Sequence, residues 1–399
     1  MSTAQLAILG GAANFSDPLP VGQLYFPEWS AYETAMRGIF ERQYYTNQGP
    51  LTQQLELVLQ ERLGVRHAIC VTNATIGLLM AADALELSGR VITPSFSFVA
   101  TSQSLTWAGL EPLFCDVDPL THQLDPQKVA LLLDDDRVSA ILAVNLWGDV
   151  CDHRALSSLA KQRGVPLYYD SAHAFGCELE GRAVGSIGTV EVFSFHATKV
   201  LSAAEGGCVC TNDDELAARL RNIRSSYGAG RLVSVSRTAN GRMSEAQAAI
   251  ALLSLEAFPG IIERNQEIYA EYKEGLEGVP GLRLLEPRLA SVTNYQYVVC
   301  EVDAEQFGLN RDQLQTVLRA ENILARRYFY PGIHRCPPYI EMFPAVSEHL
   351  PVTEALCGKV LQLPIGQLVD PQAARNIASL IRLARECAAK IRAVLEGQA

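Results

Sequence analysis

From about Leu51 the chain alternates stretches of helical periodicity with short apolar runs, each bounded by Gly, Pro, Asp or Asn. That alternation marks βα units laid around a mostly parallel sheet, an α/β fold. It predicts a helix over residues 51–63 that stops at Gly64, a strand over 67–72, and a helix over 74–87 whose first turn follows Asn73. Further strands are expected at 91–94, 113–117, 140–144, 167–169 and 190–195. Cys208 and Cys210 fall on alternate positions of what reads as another strand.

After Ala257-Phe258-Pro259-Gly260 the pattern changes. It predicts a long helix, a Val- and Tyr-rich segment over 295–302, a helix from Arg311 and a final helix over 371–395. The expected division is an N-terminal arm of residues 1–30 lying over the main domain, a large domain of 31–258, and a smaller α+β domain of 259–399.

Polar chemistry sits where the apolar runs end. Open α/β sheets bind ligands outside the carboxyl ends of their strands, and Asn73, Ser95, Asp170 and Ser194 all fall there. Asp170 closes one apolar run, and a buried carboxylate needs a cation or hydrogen-bond donors. Lys199 follows another run and precedes Glu205-Gly206-Gly207. Poor solvation there lowers a lysine's pKa, and only the neutral amine attacks a carbonyl. Alone, Asp170 reads sooner as a helix cap and Lys199 sooner as a solvated surface side chain. Together they fit a lysine that anchors pyridoxal phosphate and a carboxylate that keeps the pyridine nitrogen protonated. Asn73-Ala74-Thr75, opening a helix, would offer the phosphate backbone N–H groups, a hydroxyl and the positive end of the helix dipole.

Composition narrows the alternatives. The 399 residues are 48% hydrophobic and 19% charged with a net charge of −11, and no run of Lys and Arg suggests a nucleic-acid surface. The apolar runs are expected to be too short for a membrane span, and the N-terminus does not read as a signal peptide, so the expected address is cytoplasmic. Ten scattered cysteines read as buried hydrophobes, with neither metal nor disulfide expected. A nicotinamide enzyme is disfavoured because Gly10-Gly11 does not belong to a G-x-G-x-x-G entering a helix.

Seven motifs in order carry a resemblance. They are Thr46-Asn47-Gln48-Gly49-Pro50, Asn73 to Leu78, Pro94-Ser95-Phe96-Ser97-Phe98, Asp170-Ser171-Ala172-His173-Ala174, Ser194 to Lys199, Glu205-Gly206-Gly207 and Asn240 to Glu245. The chain resembles the DegT/DnrJ/EryC1/StrS sugar aminotransferases, which have the aspartate aminotransferase fold (fold type I of the pyridoxal-phosphate enzymes) and act as homodimers. The resemblance implies that Lys199 is the Schiff-base lysine, that Asp170 partners the pyridine nitrogen, and that His173 neighbours the ring hydroxyl. It implies that Phe98 stacks on the cofactor ring. Ala74, Thr75, Ser194 and, from the other subunit, Asn240 would hold the phosphate. Gly241 stands where the family has an aromatic residue, which weakens the expected role of Arg242 at a substrate phosphate.

Ser194-Phe195-His196 ahead of the lysine is similar to the members that aminate carbon 4 and form dTDP-4-amino-4,6-dideoxyglucose. The resemblance therefore implies transfer from L-glutamate to dTDP-4-keto-6-deoxy-D-glucose, with the small-domain stretch from Tyr328 to His334 near the substrate, Tyr330 and His334 as its candidate contacts. A UDP- or GDP-linked keto sugar and a non-catalytic sensor are the competing expectations. Relatives with histidine at the lysine position are dehydratases, so Lys199 points to transamination.

Overall fold

The computed structural model describes residues 5–225 and 230–397; the first four residues of the expected arm and the last two of the small domain lie outside the described residues. A seven-stranded sheet forms the centre of the large domain. Its strands are β1 (His67–Val71), β2 (Arg90–Pro94), β3 (Glu111–Cys115), β4 (Val138–Val144), β5 (Leu167–Asp170), β6 (Glu191–Ser194) and β7 (Gly207–Thr211). Across the sheet the order is β1-β7-β6-β5-β4-β2-β3. Strands β2 to β6 pair in parallel, while β7 runs antiparallel to both β6 and β1. Cys208 and Cys210 lie on β7, both buried, with their sulfurs 3.8 Å apart.

The expected α/β architecture is present, and the strands lie within about two residues of their sequence positions. Helix α1 (Pro50–Leu63) stops at Gly64, whose φ of +62° suits a left-handed cap. Helix α2 (Ala74–Ala84) ends three residues before the predicted 87. Leu85 caps it, and Glu86, at φ +54°, turns the chain back toward β2.

Helix α3 (Glu245–Leu276) opens on a capping box between Ser244 and Gln247. The sequence reads as broken at Pro259-Gly260, yet the helix runs through Pro259. A mid-helix proline costs about 3 kcal/mol, and packing on both sides of it outweighs that cost here. Ala248, Ala251, Leu255, Phe258 and Ile261 fill the large-domain core. Ile268, Tyr269, Tyr272 and Leu276 fill the small-domain core. The division expected after residue 258 thus falls inside one helix whose apolar face changes cores between Ile261 and Ile268. This helix is long and apolar enough to cross a membrane by composition, contrary to the expectation from the sequence, but half of its most apolar window is buried in the protein.

The small domain holds an antiparallel sheet of β8 (Leu282–Leu284), β9 (Val298–Val302) and β10 (Val360–Leu363), in that order. Helix α4 (Pro371–Glu386) packs on α3. The predicted last helix is in fact two, separated at Cys387. The arm does not lie mainly over the large domain. Leu6 is buried in the small-domain core, with Ile8, Leu9, Phe15 and Leu19 packed against it, and Leu19–Pro20 pairs with Ile323–Leu324. Those apolar side chains choose its seat, whereas Gly and Pro content reports only irregular backbone.

Candidate active site

Lys199 sits at the tip of a hairpin. Pairing between β6 and β7 continues past Ser194 through Phe195 N–H to Gly206 C=O and Ala197 N–H to Ala204 C=O. The tip is tightened by Lys199 N–H donating to His196 C=O at 2.8 Å. Its amine donates to the Tyr297 hydroxyl at 3.0 Å. Burial lowers its pKa to about 8, with Asp170 acting in the opposite direction.

Asp170, at the carboxyl end of β5, is 6% exposed. It accepts from the Thr101 hydroxyl at 2.8 Å and from Ala172 N–H at 3.2 Å. Thr101 is itself within 2.9 Å of the Ser97 hydroxyl, so the segment after β2 holds the carboxylate. Burial raises the Asp170 pKa; the Thr101 and Ala172 donors and the charge of Lys199 offset part of that. His173, three residues on, is buried, with its ring 4.3 Å from that of Tyr297 and 5.5 Å from Trp147. Burial and Lys199 hold its pKa well below the usual histidine value, so the imidazole is neutral.

These groups open onto one cleft of about 500 Å³, at the carboxyl ends of the parallel strands. Its walls bring together Lys199, Asp170, His173, Phe98, Ala74, Thr75 and Ser194, seven of the residues singled out in the sequence. Asn73 caps α2 by accepting from Ile76 N–H at 2.9 Å, which leaves the amides of Ala74 and Thr75 without an intrahelical acceptor. Gly207 is required beneath them: a Cβ there would lie 2.9 Å from Ala74 N and 2.7 Å from Phe193 O.

Four singled-out residues lie elsewhere. Asn240 is exposed, at φ +50°, and is not among the residues lining this chain's cleft. Arg242 bridges to Val71 beside it. Gly241 packs against α2, where a Cβ would come within 2.5 Å of Ile76, so the aromatic residue usual in the family has no room. Tyr330 is half exposed beneath the guanidinium groups of Arg311 and Arg327. His334 is buried and fully engaged, 2.6 Å from the Ser95 hydroxyl and 2.5 Å from Glu354.

Other cleft residues escaped the sequence reading. Arg326 lines it from the small domain, next to Tyr328 and Phe329, which open the Tyr328-to-His334 stretch expected near the substrate and do line the cleft. Tyr297 and Thr101 touch Lys199 and Asp170 from 98 and 69 residues away, which no local pattern reports. The sole signal was the Val- and Tyr-rich character of the segment containing Tyr297.

The residues fit a ring-bearing phosphorylated cofactor. His173 Nδ1 is buried without a hydrogen-bond partner among the described residues, as buried polar atoms seldom are. Asp170 is a buried carboxylate, a helix N-terminus offers free amides, and Phe98 presents an exposed ring in the cleft.

The sequence model of the DegT/DnrJ/EryC1/StrS aminotransferase family matches residues 30–382. A dTDP-4-amino-4,6-dideoxy-D-glucose transaminase of Escherichia coli is 32% identical over 91% of this chain and 98% of the relative. Its counterpart from Shigella dysenteriae is 34% identical over 92% and 98%. Among solved structures, DesI in the presence of its TDP-sugar product superposes with a TM-score of 0.90 at 40% identity, covering 98% of this chain and all of that one. Helicobacter pylori PseC, an aminotransferase involved in pseudaminic acid biosynthesis, gives 0.85 at 25% identity over 93% of this chain and all of that one.

Proposed function

The chain belongs to the DegT/DnrJ/EryC1/StrS aminotransferase family, and on that premise we propose that Lys199 carries pyridoxal phosphate and that the enzyme moves the amino group of L-glutamate to carbon 4 of dTDP-4-keto-6-deoxy-D-glucose. The products are 2-oxoglutarate and dTDP-4-amino-4,6-dideoxy-D-glucose. The observation that carries this reading is a partly buried lysine amine, its pKa lowered to about 8, in one cleft with an under-satisfied buried carboxylate and a neutral histidine.

Bound in that cleft, pyridoxal phosphate would supply an electron sink for the carbon that loses its proton. Lys199 would hold it through Nζ and, once freed by the donor, carry a proton between the donor's α-carbon and the ring-borne carbon. Asp170 would pair with a protonated ring nitrogen, which gives its buried charge a cationic partner. His173 Nδ1 would face the ring hydroxyl, Phe98 would cover one ring face, and Ala74, Thr75 and Ser194 would hold the phosphate.

We further infer a homodimer in which Asn240 reaches the partner's phosphate site; its exposure and its place outside this chain's own cleft support that. Trp29, Phe40 and Trp107, each at least 70% exposed, are in keeping with a protein surface that meets another. Free thiols throughout suit a cytoplasmic address. Substrate contact is better supported for Arg326, Tyr328 and Phe329, which line the cleft, than for Tyr330 and His334. Mixing the loaded enzyme with glutamate and then with dTDP-, UDP- and GDP-linked 4-keto-6-deoxy sugars tests the assignment. The dTDP sugar is expected to restore the cofactor's original absorbance fastest, and faster restoration by another carrier would reassign the nucleotide.

A further inference from the structure

The loop that carries the reactive lysine is tied at three consecutive residues, one to the N-terminal arm and two to the small domain. Thr198 C=O accepts from Gln23 N–H at 3.1 Å, the Lys199 amine donates to the Tyr297 hydroxyl at 3.0 Å, and Val200 N–H donates to Gln296 Oε1 at 2.5 Å. Gln23 closes the circle, its side-chain amide donating to Gln296 C=O at 3.1 Å. Two residues earlier, the Asn294 amide donates to His173 C=O at 2.9 Å and Phe175 C=O at 3.0 Å. Gln296 N–H in turn donates to Asn294 Oδ1 at 2.9 Å. A short stretch ahead of β9 thus grips both the lysine loop and the histidine loop, and Gln23, Asn294 and Gln296 are each almost fully buried.

Tyr297 is the member of this stretch that reaches the reacting atom. Its ring is 6% exposed and fixed between His173 and Trp147, 4.3 and 5.4 Å away between centroids. A phenol is both donor and acceptor. It accepts from Nζ when the lysine is an ammonium group, and by rotating its hydrogen it donates to the lone pair when the lysine is a neutral amine. A carboxylate in its place would favour only the charged form, and a phenylalanine would hold neither. Burial keeps the phenol protonated, far above its ordinary range.

The geometry points to Tyr297 as the positioning residue of the proton-carrying amine: its hydroxyl holds Lys199 Nζ in place in both protonation states, so that the freed lysine stays aimed at the carbon whose proton it moves. This rests on the reading that Lys199 bears the cofactor. A loosely held amine would still form and lose its bond to the cofactor, but it would spend most of its time away from the proton it must take.

The test is Tyr297→Phe, which removes one oxygen and keeps the packed ring. With the cofactor-loaded protein, the single-turnover rate with glutamate is expected to fall by about 100-fold while its KM stays within about twofold. The isotope effect with α-deuterated glutamate should rise, because proton transfer becomes the slow step. Covalent capture of pyridoxal phosphate by the cofactor-free variant, a readout independent of turnover, is expected to slow by about tenfold. Thermal denaturation and the amount of cofactor retained after dialysis report whether the variant is folded. Should the variant misfold, Gln296→Leu, which loosens the same loop without touching Nζ, must raise the same isotope effect. A rate within about threefold of wild type, or a slower rate with an unchanged isotope effect, would overturn the proposal while leaving the cofactor assignment intact. Absence of a lysine-bound cofactor band in the wild type would instead remove the reading beneath it.

Discussion

Adjacent strands of the large sheet each bury a carboxylate, and the two are treated very differently. Glu191 opens β6 and Asp170 closes β5, yet the short register between the two strands sets them side by side. Glu191 pairs in register with Tyr169, one residue short of Asp170, and the pleat sends the two side chains to opposite faces. Glu191 accepts from three backbone amides, Gly185 at 2.9 Å, Ile187 at 2.6 Å and Gly188 at 2.9 Å, and from the Ser171 hydroxyl at 3.2 Å. Asp170 has one hydroxyl and one amide. Burial raises the pKa of both. Glu191 spends its lone pairs on a turn, whereas Asp170 keeps capacity in hand beside a cleft. A fully satisfied buried charge is structural, and one left short of donors at the carboxyl end of a strand marks where a ligand's charge belongs.

Substitutions can break that contrast. The largest effect is expected on the cleft side with Lys199→Ala, which should lower turnover by more than about 10⁴-fold while the protein folds and still binds pyridoxal phosphate without a covalent bond. Steady-state assays with mass spectrometry of borohydride-treated protein check both halves. Next comes the paired comparison. Asp170→Asn should cost about 10²- to 10³-fold in kcat and leave the stability of the cofactor-free protein within about 1 kcal/mol. Glu191→Gln, which puts an NH₂ against backbone donors, should cost about 3 kcal/mol in urea unfolding, with kcat of the folded fraction little changed. Equal losses of stability in both variants would erase the distinction.

A smaller effect is expected at the cleft mouth. Arg326 is exposed there, and among the described residues its one side-chain hydrogen bond, to the Tyr328 hydroxyl, is long at 3.5 Å. Both proposed substrates are anionic, so Arg326→Gln should raise KM for each by about tenfold, with kcat affected less. A change confined to the sugar would assign the side chain to the diphosphate alone. Smallest is the dependence on pH. With its pKa near 8 in place of roughly 10.4 for a solvated lysine, Lys199 is half neutral about two pH units earlier. Covalent capture of the cofactor by cofactor-free protein should therefore rise between about pH 7 and 9 and level off above. The sign on stability follows: the unfolded chain binds this proton more tightly, so the group costs stability below pH 8 and that cost disappears as pH rises toward the unfolded value.

The same contrast explains what could be read in advance. Strand ends, Asp170, Lys199 and the Asn73 cap were legible because each is written in a contiguous apolar run and the residue that stops it. Glu191 was not read as a buried carboxylate, because its partners lie in the turn from Gly185 to Gly188, which carries no periodicity. Tyr297, Thr101 and Arg326 were missed because their contacts join distant parts of the chain. The seat of the first part of the arm was not legible, because irregular backbone says nothing about where Leu6 and Phe15 find their core. Pro259 suggested a boundary because local propensity is blind to cores on both sides of one helix.

The most direct test of the whole account is the visible absorbance of the purified protein loaded with pyridoxal phosphate, followed through glutamate and then dTDP-4-keto-6-deoxy-D-glucose, beside Lys199→Ala. A band from lysine-bound cofactor is expected in the wild type, bleached by glutamate and restored by the sugar, with no such cycle in the variant. A wild type that binds the cofactor with no lysine-linked band, or whose band glutamate leaves untouched, would contradict it.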